Sequence, residues 1–213
     1  MARPRADDPG GAASSAAIAA LGGTTVIVPA AGSTSTSVAL QGVATGQAIA
    51  LFWFSTALVL PTSITDTFST GYTWTLVQSI TGNDFIGALY IGTGGSGTSG
   101  TVTVTTSALE TSGAMAVPTV NVSGVDVSGS NSGTSATPTF SLTPSAAGEC
   151  AIYACIIDSG SPTINPLPAY PWINASANYA DLAMYISPPA SVSLVCNWGI
   201  LSGHWITLGM ILK

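Results

Sequence analysis

Of 213 residues, three are Lys or Arg and nine Asp or Glu, so only 6% of the chain is charged and the net charge is −6; about a quarter is usual for a soluble domain. The cations are Arg3, Arg5 and Lys213, which excludes the basic stripe of a nucleic-acid binder and the Lys or Arg clamp of phosphoryl-transfer enzymes. One His and three Cys leave almost no room for a metal site built on those ligands.

Residues 1–22 differ from the rest. Residues 1–11 are polar, with Pro4, Pro9 and paired glycines, and residues 12–21 form an Ala-rich run long enough for two or three helical turns. Such a segment is marginal alone in water, so it is expected to be an N-terminal arm held by a neighbouring subunit, the alternative being an arm folded against its own domain. Arg3 and Arg5 are the candidates for pairing with carboxylates there. Asp7, Asp8, Ser14 and Ser15 make this stretch a poor signal peptide.

From Thr24 onward the pattern is β throughout. Val26–Val28 ends at Pro29, and Val38 and Leu40 alternate with small residues. Residues 48–60 form an apolar run of 13 closed by Pro61. A spanning helix needs about 20 residues, so this run is a buried strand or strand pair, and no membrane insertion is expected. Strands follow near 73–80, 85–91, 101–106 and 114–122. Thr101-Val102-Thr103-Val104-Thr105 is the cleanest alternation of exposed and buried positions. The connection 121–138 alternates Val120, Val122, Val125 and Val127 and should add a strand.

The chain also repeats itself. Ser37-Val38-Ala39-Leu40 matches Thr139-Phe140-Ser141-Leu142, and the same spacing carries Gly46 onto Gly148 and one apolar run onto the next. Ile64-Thr65-Asp66 answers Thr163-Ile164-Asn165, and Tyr72-Thr73-Trp74 answers Tyr170-Pro171-Trp172. Ala88–Ile91 answers Ala183–Ile186, and Val102–Val104 answers Val192–Leu194. Ser112-Gly113 answers Ser202-Gly203. The expected fold is all-β, a two-sheet antiparallel, jelly-roll-like sandwich with an internal pseudo-repeat. Residues 1–22 are the arm and 23–213 the sandwich, with halves near 37–122 and 138–213. Tandem sandwiches are the alternative to one sandwich of about a dozen strands.

Chemistry is sparse. The 27 Ser residues have only His204 as an imidazole base, and no GxSxG elbow occurs. The acids are scattered singly through turns, without the carboxylate pair that glycoside hydrolysis needs. Cys150 and Cys155 fall on opposite faces of one strand and cannot easily pair, so the cysteines read as small apolar side chains. No catalytic residue, metal or other cofactor is therefore expected. The loop 168–174 offers an aromatic platform of the kind that stacks sugars, with Tyr170 and Asn174 as candidate ligand-binding residues and Tyr72 and Trp74 as their counterparts.

In its order of motifs the chain resembles the β-sandwich domains of tailed-phage virion proteins and of bacterial surface proteins. The motifs are a Gly-Gln/Glu turn before an apolar run, Thr-Asp, Tyr-Thr-Trp-Thr-Leu-Val, Ala-Leu-Tyr and Thr-Val-Thr-Val-Thr, with an apolar ending at residues 205–213. The resemblance implies a non-enzymatic virion structural protein, a capsid decoration, head fibre or tail component located in the virion. Its partners would be other virion proteins or copies of itself. The alternative is a glycan-binding module of a phage tail or bacterial adhesin, extracellular or at the cell surface, with host-surface glycans as partners.

Overall fold

The computed structural model describes residues 17–18, 25–27, 32–157, 163–165, 172–177, 180–186, 194–199 and 203–213. All named elements among them are strands, and every pairing is antiparallel. The first repeat contains β3 (Ser33–Gln41), β4 (Ala48–Ser55), β5 (Ser63–Asp66), β6 (Thr73–Thr81), β7 (Ile86–Thr93), β8 (Ser99–Glu110) and β9 (Ser112–Val120), preceded by β1 (Ala17–Ile18) and β2 (Thr25–Ile27). The second contains β10 (Val125–Gly133), β11 (Thr139–Leu142), β12 (Cys150–Ile157), β13 (Thr163–Asn165), β14 (Trp172–Ala177), β15 (Ala180–Ile186), β16 (Leu194–Gly199) and β17 (Trp205–Leu212).

The expected antiparallel two-sheet sandwich is present, but it occurs once in each repeat rather than once over residues 23–213. The large sheet of the first is ordered β1-β9-β4-β7-β6, with β2 also on β9, and its small sheet is β3-β8-β5. The second repeats this order strand for strand, as β10-β17-β12-β15-β14 and β11-β16-β13. In each, the leading strand lies beside the last, the last beside the third and the third beside the sixth. That is double Greek-key, jelly-roll-like wiring. The strand expected between residues 121 and 138 is β10, and it takes the place that β1 and β2 hold in the first repeat.

The Ala-rich run departs from its helical reading at Ala17 and Ile18. They lie in a strand and pair with Val120 and Thr119, because the open edge of β9 offers ladder bonds that a short isolated helix cannot match. Pro118, which has no N–H to donate, falls between the β9 residues paired to β1 and those paired to β2.

The four sheets stack in layers around three apolar cores. One core fills the first sandwich, with Val38, Leu40, Trp53, Tyr90 and Val104. A second fills the other sandwich, with Phe140, Leu142, Tyr153 and Trp198. The third lies between the two large sheets and draws on both repeats: Ala50, Phe52, Leu89 and Met115 meet Ile152, Ile206, Leu208 and Met210. Each large sheet is thus covered on both faces, and β4, β12 and β17 are buried at every position. This explains why residues 48–54 and 150–157 are apolar without alternation. A single sandwich of a dozen strands would have left one face of each sheet to solvent.

Polar contacts join the sandwiches at the rim of this middle core. Gln78 Nε2 donates to Ser130 Oγ at 3.0 Å. His204 Nδ1 pairs with Asp84 Oδ2, both side chains being partly exposed. Such an exposed pair contributes about 0–1 kcal/mol.

Candidate aromatic groove

A groove opens on the first sandwich between the start of β5 and the β6–β7 ladder. It encloses about 280 Å³ and is lined by Pro61, Thr62, Ser63, Ile64, Tyr72, Trp74 and Tyr90. Asp66, the last residue of β5, organises its floor. Asp66 Oδ1 accepts from the Phe68 amide at 3.2 Å, and Oδ2 accepts from the Tyr72 amide at 2.9 Å and from Trp74 Nε1 at 3.1 Å. One carboxylate therefore fixes the turn after β5 and the tilt of the Trp74 ring.

Glycines hold the rings from below. A Cβ at Gly100 would meet the Phe68 ring at 2.7 Å, one at Gly95 the Tyr72 ring at 2.2 Å, and one at Gly92 the Trp74 ring at 2.9 Å. The glycine-rich stretch 92–100, which reads in sequence as a long loop, is a bed for three aromatic side chains. Phe68 and Tyr72 meet edge to face at 5.1 Å, and Tyr72 and Trp74 lie 6.0 Å apart, within the range of favourable ring pairs. Burial, and then the Asp66 charge, raise the Tyr72 phenol above its ordinary pKa, and burial does the same for Tyr90. Both stay neutral donors through ordinary pH. The Tyr72 hydroxyl is buried and has no hydrogen-bond partner among the described residues.

Of the residues singled out in sequence, Tyr72 and Trp74 come together here. Arg3, Arg5 and Tyr170 lie outside the described residues, while Asn174 lies on β14 opposite Ala183. The register places Trp172 opposite Tyr185 where Trp74 stands opposite Gly92, so the glycine bed is not repeated in the second sandwich. Sequence reasoning missed Asp66 and Tyr90. Their signal was the placement of Asp66 six residues before Tyr72 and eight before Trp74.

Two acids that read as scattered are brought onto one hydroxyl. Ser145 Oγ donates to Asp126 Oδ1 at 2.8 Å and lies 3.4 Å from Glu149 Oε1, while the Ser145 amide donates to Asp126 Oδ2. Glu149 Oε2 also accepts from the Ala146 amide, as Gln47 Oε1 accepts from the Ala44 amide in the first repeat. Among the described residues no group of three or more His, Cys, Asp or Glu side chains forms a metal-binding cluster. Cys150 and Cys155 are buried in different cores. Burial pushes the Cys150 thiol up to about 12, far from the range of a reactive thiolate. No protein-family model matches the chain, and no curated protein matches it in sequence.

Proposed function

We propose that this chain is a non-enzymatic structural protein of a virion, a capsid decoration, head fibre or tail component that acts by packing its sandwiches against neighbouring subunits. The observation that carries the reading is the outer face of the β3-β8-β5 sheet. It presents Ser35, Ser37, Thr65, Thr101, Thr103 and Thr105, with Ser37 Oγ and Thr103 Oγ1 bonded at 2.9 Å. These six positions carry no charge, so packing such a face against a neighbour avoids the desolvation cost of burying ions. The virion setting rests on the resemblance of the motif order to phage β-sandwich domains. Since Ala17 and Ile18 pair with β9 of the same chain, the part of the arm before them anchors the subunit in this reading, with Arg3 and Arg5 paired to carboxylates of a neighbour.

The test compares the full chain with a chain lacking residues 2–16 and with an Arg3→Ala/Arg5→Ala variant, measuring incorporation into the particle or self-assembly by light scattering. Loss of incorporation in both supports the reading, and normal incorporation of the truncated chain ends it. The second reading, a glycan-binding module of a phage tail or adhesin, is favoured by the aromatic groove of the first sandwich.

A further inference from the structure

We infer that the groove formed by Thr62, Ser63, Tyr72, Trp74 and Tyr90 is a binding site for a neutral saccharide, one ring of which lies against Trp74. The inference rests on the glycan-binding reading and is independent of the virion one.

Three features of the groove select this ligand class. The first is shape: about 280 Å³ is at the lower edge of ligand pockets, which run from about 300 to 1,000 Å³, and suits a single pyranose ring better than an extended chain. The second is charge. Asp66, the carboxylate beneath the groove, already accepts three N–H bonds, and the seven lining residues include no ionisable side chain other than the neutral phenols of Tyr72 and Tyr90. An ionic ligand would be desolvated here with nothing to pair with it. A sugar needs no counter-charge. It offers an apolar C–H face to an indole and hydroxyls to the hydroxyl-bearing wall.

The third feature is an incomplete hydrogen bond. Tyr72 is 7% exposed, and its hydroxyl has no partner among the described residues. An unpaired buried hydroxyl is destabilising, and a core that needed only the ring would be served by Phe. Phe68, next to it in the same row, is such a ring. A ligand hydroxyl entering the groove would supply the missing partner, while exposed Thr62 stands at the rim to bond the outer side of the ring. The glycine bed and the Asp66 bridge hold Tyr72 and Trp74 in place before any ligand arrives, which lowers the ordering cost of binding.

The experiment titrates the full chain with chitotriose and with cellotriose, whose equatorial substituents leave flat C–H faces, and follows the Trp74 indole N–H and the Gly92 amide by NMR. The expected result is a saturable shift of both signals with at least one sugar, at a Kd of about 1 mM. Trp74→Ala should weaken binding about tenfold or more. Tyr72→Phe should weaken it severalfold while leaving the melting temperature unchanged or higher, which a purely structural tyrosine would not do. Should Trp74→Ala unfold the chain, Thr62→Ala at the exposed rim gives the second measure, again a severalfold loss. Absence of a saturable shift up to about 10 mM with either sugar overturns both the site and the glycan reading. Saturable binding that moves other residues and survives Trp74→Ala and Tyr72→Phe overturns the site alone.

Discussion

The first sandwich draws its buried tryptophan, Trp53, from its large sheet, in the same core as Val104 of the small one. In the second sandwich the large sheet has Cys155 at the matching position, and the small sheet supplies Trp198 where the first has Val104. The ring has changed sheets while the core stays filled. A similar exchange links Leu51 and its neighbour Ala116 to Tyr153 and Gly209. Across the repeat the wiring and the total volume are kept and the identity at each position is not, as expected where cores tolerate redistribution of volume more readily than its loss. Both indole N–H groups are without partners among the described residues.

The strongest way to break this comparison is through the core that both repeats share. Phe52→Ala, in the middle of β4, should cost about 3–5 kcal/mol in urea unfolding. It should move one common transition, because its neighbours on the facing sheet belong to the other repeat. Two separate transitions, only one of them shifted, would show that the sandwiches are energetically independent.

A transplant sharpens the volume exchange. A Cβ on Gly209 would meet Tyr153 Cδ1 at 2.4 Å and Phe140 Cε1 at 2.5 Å, so Gly209→Ala should cost about 1–3 kcal/mol. Adding Tyr153→Leu recreates the Leu51–Ala116 pair of the first repeat and should recover part of the loss. Recovery is incomplete because the Leu142 amide, which donates to the Tyr153 hydroxyl at 3.0 Å, loses its acceptor.

The large-sheet cysteine distinguishes the repeats by pH. Cys150 stands where the first repeat has Ala48, and its folded pKa of about 12 exceeds the ordinary 9.0. A raised thiol pKa means that the unfolded chain loses its proton first as pH rises. Stability from this group is complete below pH 9 and drains away between 9 and about 12, by about 1 kcal/mol at pH 10. Thermal melts of Cys150→Ala should show a shallower alkaline decline than those of the unaltered chain. Equal declines would place the loss elsewhere, with Tyr72 and Tyr90 next in line.

The smallest effect is expected at the shared turn. Gly46 and Gly148 both have positive φ, 82° and 88°, and the next residue caps the turn in each case. Glu149→Gln copies Gln47 and should change stability by no more than about 0.5 kcal/mol. A larger loss would show that Asp126 and Ser145 depend on the second carboxylate.

How much of this could be read in advance varies along the chain. The Gly46/Gly148 turn and the Trp74/Trp172 match stand in register, since a positive-φ glycine and a large ring mark single positions. Other matches slipped. Pairing puts Ala183 in the place of Tyr90, two residues from the alignment by identity, and Cys196 in the place of Val102, four residues away. These even slips keep each side chain on its face, so the alternation could not reveal them. Ile164 rather than Thr163 takes the place of Ile64, a slip of one that short strands in a Ser/Thr-rich chain do little to resist. The layered stack was legible in the unbroken apolar runs of β4 and β12, which mark strands covered on both faces. The groove was only half legible, because its aromatic rings are seated on glycines, which have no side chain to read.

The middle core also sets an order of events during synthesis. By residue 120 every strand of the first sandwich has been made, yet the face bearing Ala50, Phe52, Leu89 and Met115 has no cover until β12 and β17 exist. At about 5–20 residues per second, a ribosome leaves that face bare for on the order of five to twenty seconds. Nascent chains on one message then stand close together, each showing a face that another chain's second half would fit. The short connection between β9 and β10, residues 121–124, favours the correct partner by keeping the missing half tethered to the surface it must cover.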